Sequence, residues 1–157
     1  MKHILLYESF ESEPIRKVFG REQLSWLDKC TTGSWKYNPS TGKVDVKGIF
    51  NCQFQDLTDF KGVEFGDVTE TFRCSHNKLT SLAGSPEYVG EAFWCEDNRL
   101  TSLEGGPRIV GDKYSAHANE IVSLEGLPER RVGIGYQSVN LRNNPVSAGT
   151  FSMLINE

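Results

Sequence analysis

The residues of this chain best equipped for chemistry are four cysteines, Cys30, Cys52, Cys74 and Cys95, and three histidines, His3, His76 and His117. Thiolates and imidazoles hold zinc, thiols pair as disulfides, and both groups serve as nucleophiles or bases. The spacing argues against these uses. Zinc ligands come in close pairs such as Cys-x-x-Cys, whereas 22 residues separate Cys52 from Cys74 and 21 separate Cys74 from Cys95. A column of buried thiols accounts for that interval better, because free Cys packs as a small hydrophobe. His76 lies two positions after Cys74, and His117 one after Ala116, so the two imidazoles belong to different columns and share no metal or base role. Glu96-Asp97, and Glu120 with Glu125, read as charges on a solvated face. No nucleotide-binding glycine loop, nucleophile elbow or paired-histidine zinc helix is present. No catalytic residue, metal or cofactor is expected, and an enzyme using the N-terminal segment is the weakest reading.

The elements that position these residues announce themselves as a repeat. VTETFRCSHNKLTSLAGSPEY, from Val68, is followed by VGEAFWCEDNRLTSLEGGPRI, from Val89, and VGDKYSAHANEIVSLEGLPER, from Val110. Asn77, Asn98 and Asn119 recur at an interval of 21. A fixed period of this size means a solenoid, each turn stable only against its neighbours. Degenerate copies flank the three. One runs through Phe50, Cys52, Gln55, Leu57, Phe60 and Gly62, and the other through Val139, Leu141, Asn144 and Val146. This gives about five turns. Phe50, Phe72, Phe93, Tyr114 and Val139 should stack as one inward column, and Cys52, Cys74, Cys95, Ala116 and Leu141 as the next. Asn77, Asn98, Asn119 and Asn144 should form a ladder satisfying backbone groups at the bend. Gly62, Gly84, Gly105 and Gly126 suit turns needing positive φ. Pro86, Pro107 and Pro128 leave little room for helix on the outer side.

The core of each unit, aromatic-x-Cys-x-x-Asn-x-Leu-x-x-Leu, resembles a leucine-rich repeat. The Leu-Thr-Ser-Leu-x-Gly-x-Pro stretch resembles the short repeats of bacterial effector proteins. More closely, the units resemble those of repeat proteins encoded by tailed bacteriophages, Val-Gly-x-x-Phe-x-Cys-x-x-Asn-x-Leu-Thr-Ser-Leu-Glu-Gly, as does the opening Met1 to Phe10. The resemblance covers roughly Trp35 to Val146. It implies a noncatalytic protein-binding solenoid acting on a host protein, for example as an inhibitor of a host defence or host enzyme. A virion or assembly component that self-associates is the alternative.

The 157 residues fit a single domain. Residues 1–33 read as a helical N-terminal cap, with helical spacing at Ile15, Val18 and Phe19 and again over Arg21 to Cys30. The Met1 to Glu13 stretch reads either as part of that cap or as a docking tail. Residues 34–46 read as a hairpin around Asn38 to Gly42, with Trp35 and Tyr37 packing on the first repeat. Residues 47–146 carry the leucine-rich repeats, and 147–157 a C-terminal cap with a short helix over Ala148 to Ile155. The net charge of −4 argues against a general nucleic-acid binder. No apolar run suits a membrane span, and Ile4-Leu5-Leu6 is too short for a signal peptide, so a cytoplasmic setting is expected.

Side chains alternate along a strand, so the residues between the inward ones should face outward on the concave surface. The central column is Asn51, Arg73, Trp94, Ser115 and Asn140. Gln53, Ser75, Glu96, His117 and Arg142 flank it on one side, and Ile49, Thr71, Ala92, Lys113 and Ser138 on the other. These positions vary from turn to turn while the inward ones do not. Trp beside Arg is a composition favoured at binding hot spots. The candidate protein-binding residues are therefore Asn51, Arg73, Trp94, Ser115, Asn140, Ser75, Glu96, His117, Arg142 and Lys113. The plainer alternative has Trp94 covered by the N-terminal segment or a loop.

Overall fold

The computed structural model describes residues 18–128 and 138–146. The helices expected before residue 18 and over 148–155 lie outside the described residues. The chain enters through α1 (Arg21–Cys30). Gln23 reaches back to accept from the Gly20 N–H at 2.8 Å, and Glu22 and Lys29 sit at the helix ends whose partial charges they oppose. Trp26, Leu27 and Cys30 form the buried side of α1, and Trp26 meets Phe50 edge-on at 5.2 Å. The helix thus covers the first turn.

An antiparallel hairpin follows, β1 (Thr31–Asn38) and β2 (Lys43–Asn51). Trp35 is buried and its indole N–H donates to Asp28 at 3.0 Å. Tyr37 packs edge-on against Phe19 at 5.5 Å. The strands run further than 34–46, and β2 continues into the first repeat copy.

Two runs of short parallel strands diverge from β2. The first is β3 (Phe65–Val68), β5 (Tyr88–Val89) and β7 (Ile109–Val110). The second is β4 (Phe72–Arg73), β6 (Phe93–Trp94), β8 (Lys113–Ser115) and β9 (Ser138–Asn140). Val44 and Val46 of β2 pair with the first run, and Phe50 and Asn51 with the second. The hairpin strand therefore takes the place of a complete first turn. The result is a parallel β-solenoid of about four turns rather than five, with α1 and the hairpin at one end. Gln55 shows why. It occupies the Asn column in sequence, but its side chain bonds Trp26 Nε1 and Cys30 Sγ instead of a bend.

The inward columns stand as expected, except that Val139, paired with Tyr114 in the last turn, is only partly buried. Phe50, Phe72, Phe93 and Tyr114 stack with centroids 5.3 to 5.7 Å apart, and Cys52, Cys74, Cys95, Ala116 and Leu141 are buried beside them. The Asn ladder forms throughout. The Asn98 amide donates to the carbonyls of Cys74, Cys95 and Glu96, and its oxygen accepts from Leu79 N–H at 3.0 Å. Asn77, Asn119 and Asn144 repeat the scheme in the other turns, each bonding the turn before its own. The Val-Gly pairs have a steric cause. A Cβ on Gly90 or Gly111 would collide with the carbonyl oxygen of Thr69 or Gly90 in the preceding turn.

Candidate functional site

The outward row of the second strand run holds the most distinctive chemistry. Register sets Asn51, Arg73, Trp94, Ser115 and Asn140 side by side. The Arg73 guanidinium lies 5.2 Å from the Trp94 ring centroid, a cation–π pair. Both side chains are half-buried. Arg73 Nε and Trp94 Nε1 have no hydrogen-bond partner and are shielded from solvent. Such groups are rare in folded proteins and ask for a reason. Further along the row, Ser115 Oγ and Asn140 Nδ2 lie 3.0 and 3.3 Å from His117 Nδ1, a polar group closed on itself.

The flanking columns depart from expectation. Ser75 and Glu96 are buried, not exposed. Ser75 Oγ turns onto the sheet and donates to the Trp94 carbonyl at 3.2 Å. Thr71 and Ala92 are buried as well, so strand alternation sets the direction of these side chains but not their exposure. Small residues beside Arg73 and Trp94 are shielded where a bare strand would leave them open. Glu96 is the exception in kind, a buried charged residue whose Oε2 finds no partner. Glu96 thus does not belong to a solvated face, whereas Asp97 is exposed. Lys113 and Arg142 are exposed and Asn51 is exposed at the row's start.

A second surface feature escaped the sequence. The residue preceding each ladder Asn holds a left-handed backbone: His76, Asp97, Ala118 and Asn143 have φ between 54° and 57°. Phe54 adopts the same conformation ahead of Gln55. There Phe54, 74% exposed, stacks on His76 at 4.3 Å, and His76 Nδ1 meets Asp97 Oδ2 at 2.7 Å. The repeat copies could have revealed this column, but its residue types differ at every turn. His76 and His117 stand in different columns, on the bend and the strand face.

The four thiols are free and buried. Burial pushes the Cys52, Cys74 and Cys95 thiols well above the usual range, and Glu96 adds to the rise at Cys74 and Cys95. No group of three or more His, Cys, Asp or Glu able to hold a metal occurs among the described residues. No helix among them is long and apolar enough to cross a membrane. A depression of about 630 Å³ between α1 and the first bend, lined by Arg21, Lys29, Lys61 and Trp26, includes neither Arg73 nor Trp94.

The geometry defines a parallel β-solenoid with a varied strand face. Compared with family models, with curated proteins and with solved structures, the chain finds no match.

Proposed function

We propose that this solenoid is a noncatalytic protein-binding module of leucine-rich type, in which a second strand run replaces the return helix. Its strand face docks a partner protein. The observation that carries the reading is the Arg73–Trp94 pair, a half-buried aromatic and cation whose Nε and Nε1 donors lack acceptors. Trp and Arg dominate binding hot spots, where a partner supplies the missing acceptors and excludes water. Support for the repeat type comes from the ladder asparagines and the aromatic-x-Cys-x-x-Asn-x-Leu order. The resemblance to phage-encoded repeat proteins supplies the setting, a host protein in the cytoplasm of an infected cell.

The test is capture from host lysate by wild-type protein, Trp94→Ala and Arg73→Glu, all checked for folding by circular dichroism. A specific protein held by wild type should bind at least about thirtyfold more weakly to Trp94→Ala, the loss of a hot spot. Equal capture by all three would overturn the assignment. Recovery only of copies of the chain itself would move the reading to a self-associating structural component.

A further inference from the structure

Resting on that docking role, we infer that the strand face takes an acidic segment of its partner. The chain carries a net charge of −4, yet this face reverses the balance. Arg73 and Lys113 lie in the second strand run and Arg142 just past it, against Glu96 within its three outward columns and Glu91, which accepts from Thr71 Oγ1 at 3.2 Å, at their edge. None of the three cations has an ion pair among the described residues. Trp94 Nε1 and Arg73 Nε add donors in want of acceptors. The surface is thus rich in N–H donors and positive charge, and it selects carboxylates and carbonyl oxygens.

The other strand run has the opposite sign. Asp45, Asp67 and Glu87 gather there with Lys43, and Lys43 is already bound to Glu87 at 2.7 Å. Burial, then the Asp45 and Glu87 carboxylates, raise the Asp67 pKa, while Lys43, and more weakly Arg108, lower that of Glu87, so three carboxylates there share two cations. An acidic segment approaching the molecule is repelled by one run and attracted by the other. Docking that parts the Arg73–Trp94 stack would bring both shielded N–H groups within reach of the segment's oxygens. Glu96 Oε2 would accept from a main-chain N–H of the same segment.

The probe is fluorescein-labelled poly-L-glutamate of about 20 residues, read by anisotropy in about 50 mM salt, where surface charge is little screened. Binding should weaken at least about tenfold in the variant carrying Arg73→Glu, Lys113→Glu and Arg142→Glu, and again in about 300 mM salt. Glu96→Gln keeps an amide oxygen to accept that main-chain N–H while removing the carboxylate's charge, and should tighten it. Lys43→Glu, on the other run, should leave it unchanged. No binding of polyglutamate, or binding indifferent to the triple reversal, overturns the inference. So does tighter binding of single-stranded DNA of equal charge, which would make the face a nucleic-acid surface. The two proposals fail separately. A captured protein lost with Trp94→Ala but retained by the triple variant keeps the docking role and sinks the acidic occupant. Capture indifferent to both sets sinks the docking role itself.

Discussion

The bend and the strand face are built from the same turns by opposite rules. At the bend, one residue type recurs, and Asn77, Asn98, Asn119 and Asn144 spend donors and acceptor on backbone groups. On the strand face, Asn51, Arg73, Trp94, Ser115 and Asn140 change from each turn to the next, with Asn returning only at the two ends. There Arg73 Nε, Trp94 Nε1 and Glu96 Oε2 go unpaired. A stacked fold constrains whatever must match its copy in the next turn, and it leaves free whatever need not. The bend, walled by the Asn ladder, is where sequence is spent on stability. The face holds three of the unsatisfied polar atoms, with Thr31 Oγ1 of β1 another; each costs about 1–3 kcal/mol when buried, and those on the face make sense where a partner removes the cost.

The largest expected effect separates interior from face by rate. Cys74 and Cys95 are buried with their thiols shifted upward by desolvation, so reactive thiolate forms only on opening. A thiol reagent at pH 8 should label them about a thousandfold more slowly in native buffer than in denaturant. Ser115→Cys, half-buried on the strand face, should label at once. Fast native labelling of Cys74 and Cys95 would put the column outside the core.

Two neighbours in β6 sharpen the contrast in stability. Phe93 is fully buried between Phe72 and Tyr114, and Phe93→Ala should cost about 3–5 kcal/mol in urea denaturation. Trp94→Ala should cost under about 1 kcal/mol, because its stack with Arg73 lies at the surface. Equal losses would mean that the face is structural rather than recognitive. Asn98→Ala falls between them. It strands the Leu79 N–H and the carbonyls of Cys74, Cys95 and Glu96, at about 1–3 kcal/mol, and an unchanged midpoint would show that the wall is not carrying the bend.

The same contrast explains what the sequence could and could not tell. The inward columns and the Asn wall were legible because stacking forces like upon like. α1 and the hairpin were legible from local spacing, although β2 extends past residue 46 to Asn51 and absorbs the turn that Phe50 and Cys52 suggested. Burial on the face was not legible, because the alternation that turns Ser75 and Glu96 outward does not set how closely the neighbouring turns approach, and both are buried. The Phe54–His76–Asp97 ladder was hidden for another reason. Its members share a backbone angle and no chemistry.

That hidden column yields the smallest effect and the most direct check on the bend. Asn143 holds φ 57° and Ala118 holds φ 54° in the same position of neighbouring turns. Asn tolerates the left-handed region, whereas a Cβ with no polar partner makes it costly for Ala, by roughly 1–2 kcal/mol. Gly would relieve the strain but loses more freedom on folding, about 0.5–1 kcal/mol, which cancels much of the gain. Asn relieves part of the strain without that penalty. Ala118→Asn should therefore stabilise the protein by about 0.5 kcal/mol, with a higher urea midpoint and an unchanged slope. Ala118→Gly should move it less. A loss of stability in both would mean that Ala118 does not share the bend geometry of Asn143, and that the wall changes its construction before the last turn.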